Sequence, residues 1–421
     1  MSIIIKPKTP PAASPASTTV VKPIKPVNYS RSTLVEVPPE ASQKREIKGN
    51  LKSPFIFSLC QPGAEKVHKE EIKNIHPEYH SAYQRPGFVT FKGTEMMGPD
   101  VRFESTLSRT FGISLKTVKF DPAANASTEL NDEIQQKAQE LIEELTTILK
   151  SNEATSPAEK SAPAIVHVWD CALTEVRDSS SHVANLHSPL YDALVHFNDR
   201  SLFSFQTHAT DGALVFDLIV QSENEVWIGA HLQSRFHYQT PPEYLTLPLP
   251  EKAPSRAYFK LLESLDLARI RMPFGTTAIE IGSSPGGASL ALLEKGVNVI
   301  GIDPAEMDRV VLRFPEFSHV RRGVLNIEGH DLDVFDAPPE WILLDMNVAP
   351  NTALNSIDHI LSVIRRPERT QGLILTLKLN DWSYVSEIRF YLNRIYDYGF
   401  TDIVAKQLTT NRQEFCVVAR R

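Results

Sequence analysis

The stretch Thr277–Asp303, T-A-I-E-I-G-S-S-P-G-G-A-S-L-A-L-L-E-K-G-V-N-V-I-G-I-D, leaves the chain few folds to choose from. A short apolar run, a Gly/Ser/Pro turn, an amphipathic helical pattern and a second apolar run ending on an acid make one βαβ unit of a parallel sheet. Gly282, Gly286 and Gly287 allow a tight turn and a close backbone approach that a Cβ would block. The start of the helix offers unpaired N–H groups to a ligand. Asp303 follows the first glycine by about twenty residues, the spacing at which dinucleotide-type folds hold ribose hydroxyls. A nucleotide-like cofactor is one reading; a turn that only packs a helix on a sheet is the other. The glycines do not follow G-x-G-x-x-G, so nicotinamide specificity has no support.

A chain of 421 residues accommodates two or three domains with cores of their own. Its net charge of −7 requires any nucleic-acid contact to come from a local basic patch. Cys60, Cys171 and Cys416 lie far apart without a C-x-x-C pair, which indicates neither a disulfide framework nor a zinc site. The histidines, His208 and His237 included, lack metal-ligand spacing and receive no role. No apolar run reaches transmembrane length and no signal peptide is evident, so a cytoplasmic protein is expected.

Composition divides the chain into three parts. Residues 1–52 are rich in Pro, Ser, Thr and Lys and are expected to form a disordered leader. Residues 53–244 mix strand patterns with helices at about 64–72 and 131–150, without βαβ rhythm, and are expected to form an α+β module. In the second helix Ile134, Ala138, Leu141, Ile142, Leu145 and Leu149 share one face. The charges between Glu65 and Glu71 suit a solvated face. Residues 151–162 suit a polar linker, and the Pro-rich stretch 241–254 a semi-rigid joint.

Residues 245–421 carry the βαβ unit. Ser255 is placed to cap a helix bearing Tyr258, Leu261, Leu262 and Leu265 inward, with Lys260 on it. A strand is expected near 319–325, W-I-L-L-D-M ends on Asp345, and the apolar run G-L-I-L-T-L-K-L contains Lys378. The last two of about seven strands read as an antiparallel hairpin. A lysine inside an apolar strand costs several kcal/mol if buried alone, so Lys378 must reach a partner or a cleft. Asp345 stands where open α/β sheets bind ligands.

E-I-G-S-S-P-G-G, S-R-A-Y-F-K-L, L-L-D-M, L-T-L-K-L and R-Q-E-F together resemble the motifs of FtsJ-type RNA ribose 2′-O-methyltransferases. With P-S-R-A-Y-F-K-L, F-S-L-C-Q-P-G-A-E-K and the closing N-R-Q-E-F-C-V-V-A-R-R, the resemblance is nearest the bacterial large-subunit rRNA methyltransferase M group. It implies a Rossmann-like seven-stranded α/β methyltransferase domain behind a ferredoxin-like/THUMP-like RNA-binding module. It also implies S-adenosylmethionine as cofactor and 2′-O-methylation of 23S rRNA at a cytidine, by a monomer that needs no metal or membrane.

By the same resemblance Lys260, Asp345, Lys378 and Glu414 form a catalytic tetrad with Lys378 as base, its pKa lowered by Lys260. Asp303 holds the cofactor ribose; Ser255, Gly282, Ser284, Pro285, Gly286 and Gly287 line the methionine side, with Asp345 beside them. The family's acid after the third strand is missing in V-R-R-G-V-L-N, where Gly323 and Val324 stand, and Asn326 is the nearest polar substitute. An amine methyltransferase is disfavoured by D-M-N-V-A-P in place of an N-P-P-Y-like turn. A non-catalytic RNA-binding or ribosome-assembly factor on the same fold is the remaining alternative.

Overall fold

The computed structural model describes residues 51–120, 130–152, 163–170, 187–198, 202–205, 208–222, 224–242 and 247–421. The expected leader apart from its last two residues, most of the polar linker, Cys171 and the middle of the Pro-rich joint lie outside the described residues.

The first sheet is built from β1 (Ser53–Leu59), α1 (Glu65–Ile75), β2 (His80–Arg85), β3 (Phe88–Met97), β4 (Thr110–Lys119), α2 (Leu130–Asn152), β5 (Ala164–Asp170), α3 (His187–Phe197), β6 (Phe203–Phe205), β7 (Leu214–Ser222) and β8 (Glu225–Leu232). Its strand order is β2-β3-β1-β4-β8-β7-β5-β6, mostly antiparallel, with β5 parallel to both β6 and β7. One face is closed by α2, whose six expected apolar residues are all buried, and by α3. Each fully buried Leu or Ile stabilises the fold by roughly 1.5–3 kcal/mol.

The charges of α1 divide: Lys66 and Glu70 are exposed, as a solvated face requires, but Glu65 and Glu71, with His68, are buried. Glu65 accepts the Gly63 and Gly87 N–H groups, and Glu71 accepts those of Thr106 and Leu107 and the Ser105 hydroxyl. These carboxylates satisfy loop amides that periodicity alone cannot anticipate.

The second sheet follows through α4 (Ala257–Leu267), β9 (Thr277–Ile281), α5 (Gly287–Leu293), β10 (Asn298–Ile302), β11 (Phe317–Val320), β12 (Trp341–Asp345), α6 (Pro350–Val363), β13 (Gly372–Lys378), α7 (Ile388–Asp397), β14 (Asp402–Lys406) and β15 (Glu414–Arg420). The order is β11-β10-β9-β12-β13-β15-β14. Only β15 runs against the others: it pairs antiparallel with both β13 and β14, so β14 keeps the common direction. Alternate residues enter two cores, Ala278, Val299 and Leu343 toward α4 and α5, and Ile279, Ile300 and Ile342 toward α6 and α7. The order reverses between β9 and β12, and their carboxyl ends form the crevice where such sheets take ligands.

Three local expectations change. The third strand stops at Val320, and a single helical turn at Val324–Asn326 follows it. Ser255 does not cap α4, which begins at Ala257 without a side-chain cap. Its carbonyl instead accepts the Tyr258 N–H at 3.2 Å. Finally, α5 is buried on every side rather than amphipathic, because α4 covers the face that would otherwise be wet.

The two sheets share a seam. The apolar cluster around α4 and α5 continues into Phe57, Leu59, Phe88, Trp169 and Ile219 of the first sheet. At the edge of the second sheet Gln407 N–H donates to Thr106 O at 2.6 Å, and Lys406 Nζ to Ser108 O and Arg109 O at 2.9 and 3.2 Å.

Candidate active site

Strand register brings the four tetrad residues together. Asp345 ends β12 opposite Thr376 of β13, Lys378 lies two residues further along, and Glu414 pairs directly with Lys378 across the antiparallel ladder. Lys260 comes from α4, above the same strand ends. Its Nζ lies 3.1 Å from Asp345 Oδ2 and 2.6 Å from Glu414 Oε1. Lys378 Nζ donates to Asp345 Oδ1 at 2.7 Å and to Glu414 Oε2. Each lysine therefore bridges both carboxylates, and the four close into a neutral ring of alternating charge.

The ring is largely sheltered but open on one side, with side-chain exposure of 20% for Lys260, 23% for Asp345, 13% for Lys378 and 8% for Glu414. Burial pulls the Lys378 pKa down, but the Asp345 and Glu414 carboxylates outweigh it and the net direction is up. The expected depression by Lys260 does not prevail: two anions contact the ammonium directly, and they hold its proton.

The glycine turn lies beside the ring. Gly282 has φ +78°, and a Cβ there would stand 2.6 Å from Asp345 O; Gly286 has φ +114° and faces Val311. At Gly287 a Cβ would meet Ser255 Oγ at 2.3 Å, so this glycine lets α4, and Lys260 with it, lie close on α5. All three are thus required by the protein's own packing. Asp303 directly follows β10, half-buried; it accepts Ser284 N–H at 3.1 Å and Ala305 N–H at 2.8 Å, which fixes the carboxylate at the crevice. Ser284 Oγ donates to Glu306 O, and exposed Pro285 follows it through a cis peptide bond. Asn326 is exposed and lines a depression of about 610 Å³ with Ile327, Glu328, His359 and Val363.

Glu280 was not singled out by its sequence context. It is fully buried in β9, takes the Ser289 hydroxyl, and its pKa is pushed up to about 8, by burial first and then by Asp345 and Asp303.

Residues 253–382 match the model of the FtsJ-like methyltransferase family. Two curated relatives are both named ribosomal RNA large subunit methyltransferase M. The one from Tolumonas auensis is 28% identical over 217 residues, 48% of this chain and 56% of its own length. The other, from Halorhodospira halophila, is 28% identical over 178 residues, 42% of this chain and 49% of its own. The chain thus spans about half the length of these curated relatives. The crystal structure of TrmN from Thermus thermophilus aligns with 87% of this chain and 99% of its own at 12% identity and a TM-score of 0.30.

FtsJ-like methyltransferases use S-adenosylmethionine, and the crevice suits it: Asp303 offers a fixed acceptor carboxylate beside the turn at Ser284 and exposed Pro285. Elsewhere, strand pairing gathers His167, Asp217 and His231, whose donor atoms lie within 4.8 Å of one another. Asp217 already accepts Trp169 Nε1–H and contacts His231 Nδ1, while His231 Nε2 meets Gln233 Oε1. Contacts within the protein engage the Asp217 carboxylate and both His231 nitrogens. No helix among the described residues is long and apolar enough to cross a membrane.

Proposed function

We propose that this protein is an S-adenosylmethionine-dependent 2′-O-methyltransferase of large-subunit (23S) rRNA, acting on a cytidine as a cytoplasmic monomer. The reading is carried by the closed Lys260–Asp345–Lys378–Glu414 ring at the carboxyl ends of β12 and β13, and the relatives' names support the substrate. The first sheet, 53–244 in sequence, is proposed as a THUMP-like RNA-binding module joined to the catalytic part, 245–421.

S-adenosylmethionine supplies an electrophilic methyl group when bound. The chain's own residues do the rest. Asp303 holds the cofactor ribose, and Ser255, Gly282, Ser284, Pro285, Gly286 and Gly287 shape the methionine side next to Asp345. A ribose 2′-hydroxyl is a weak nucleophile at neutral pH and needs a base in hydrogen-bond reach. Lys378 Nζ accepts its proton, Lys260 lies beside it in the ring, and Asp345 and Glu414 orient both amines. Exposed Arg412, in the loop that ends at Glu414, is available to the RNA backbone.

Because the ring carboxylates hold Lys378 protonated, the neutral amine is the minor form near pH 7. Single-turnover methyl transfer is therefore expected to rise about tenfold per pH unit upward from neutrality. A rate independent of pH between 6.5 and 8.5 contradicts the assignment of the base.

The decisive experiment compares Lys378→Ala with wild type. The variant is expected to keep its circular dichroism and RNA affinity and to lose transfer to rRNA by 10³-fold or more, roughly a general base's share. Mass-spectrometric mapping of rRNA with and without the gene then names the nucleotide. Full residual activity in Lys378→Ala removes the mechanism. An unchanged map, with no S-adenosylmethionine binding by calorimetry, turns the reading to an RNA-binding assembly factor.

A further inference from the structure

Glu414 is the ring member reached through a loop. It opens β15 at the end of the ladder with β13, directly after the irregular connection 407–413, so the ladder fixes its backbone while its side chain also depends on how that connection is held. Two buried side chains hold it. Asn411 accepts Leu408 N–H through Oδ1 at 2.9 Å and donates from Nδ2 to Glu414 Oε1 at 3.1 Å. Glu263, one turn beyond Lys260 on α4, takes five donors on one carboxylate. Thr409 N–H and Oγ1–H reach Oε1 at 2.6 and 2.8 Å, Thr410 N–H and Oγ1–H reach Oε2 at 3.0 and 2.7 Å, and Tyr238 O–H reaches Oε1 at 2.8 Å.

Residues three apart on a helix share a face. The face of α4 that presents Lys260 to the ring therefore also clamps the loop that presents Glu414. We propose that Glu263 and Asn411 are positioning residues that set where Glu414 stands between Lys260 and Lys378, and so the reactivity of that lysine pair. The catalytic consequence rests on the function proposed above; the placement itself does not.

The groups facing the ring are few: Lys260 and Glu263 from α4, Asp345 from β12, Lys378 from β13, Glu414 from β15, and Glu280 behind Asp345. Cys416, two residues past Glu414, contacts Ser264, and burial pushes its thiol up to about 12, so it takes no part near neutrality. Loosening Glu414 removes one of the two anions that hold the Lys378 proton. Lys378 should then titrate lower.

The test needs no catalytic assumption. In the full chain, competitive acetic anhydride labelling read by peptide mass spectrometry gives the titration of Lys260 and Lys378, with exposed Lys252 as internal standard. In Asn411→Ala and in Glu263→Gln, Lys378 is expected to titrate at least half a unit lower and to label at least threefold faster at pH 8. Lys252 should be unchanged, and circular dichroism shows which variant is folded. Although more Lys378 is then neutral, the displaced ring no longer aims it at the hydroxyl, so single-turnover methyl transfer should fall tenfold or more, with its pH profile displaced to lower pH, while calorimetric affinity for S-adenosylmethionine stays within twofold. Unchanged Lys378 labelling in a folded Asn411→Ala overturns the inference. If that labelling shifts but Lys378→Ala keeps full activity, the proposed function fails and the positioning role stands. If Lys378→Ala is inactive and the labelling does not shift, only the positioning role fails.

Discussion

At the scale of single residues, what could be foreseen was a charge in the wrong company. Lys378 sits in an apolar strand, so burial physics demanded partners, and Asp345 and Glu414 supply them. Glu280 shows the other side. Nothing in E-I-G marks it, because its environment is assembled from Ser289, Asp303 and Asp345, which are distant in sequence. Its carboxyl is held protonated up to about pH 8 against an ordinary value of 4.5. The folded state thus binds a proton that the unfolded chain releases. That contribution to stability is fully present below about 4.5 and is lost as the pH rises through about 8. Glu280→Gln keeps the shape without the ionisation. Its thermal midpoint should match wild type near pH 5 and exceed it near pH 8.5; a constant difference at both pH values argues that Glu280 is already ionised in the fold.

Among elements, helices and central strands were legible and their exposure was not. The α2 stripe appeared with every expected residue buried, since a 3.6-residue period states which face is wet. For α5 the period misled, because α4 lies over its outer face, and no local pattern reveals a covering helix. The sense of the last strands was ambiguous for a similar reason: a hairpin fixes β14 against β15 but not which of them joins β13. Gly287 ties these points together. Replacing it with Ala puts a methyl group 2.3 Å from Ser255 Oγ and 2.7 Å from Ser255 O, so α4 must lift from α5. Overpacking of this kind costs about 1–3 kcal/mol. Urea denaturation should register that loss. Because Lys260 rides on α4, methyl transfer should fall further than the lost folded fraction explains; activity proportional to that fraction would show that α4 tolerates the shift.

For the whole molecule, composition said nothing of how closely the two sheets join. The seam is polar as well as apolar, and Lys406 is its extreme case: 2% exposed, it donates to Ser108 O and Arg109 O in the connection that leads into β4. Burial lowers its pKa to about 7, with Glu71 opposing weakly. The unfolded chain keeps the lysine proton up to about 10.5, so between these values unfolding takes up a proton and stability rises with pH. The contribution is full above about 10.5 and is lost as the pH falls to about 7. Lys406→Met removes both the titration and the two donors, leaving buried carbonyls at a cost of about 1–3 kcal/mol each. The variant should therefore be the less stable protein at pH 9.5, and the gap should narrow at pH 6.5, where wild type must bury an ammonium ion. Linear extrapolation of urea curves at the two pH values measures this directly. A gap that does not change with pH would mean that Lys406 stays charged across the seam, and that the two sheets are held by an ion rather than by neutral hydrogen bonds.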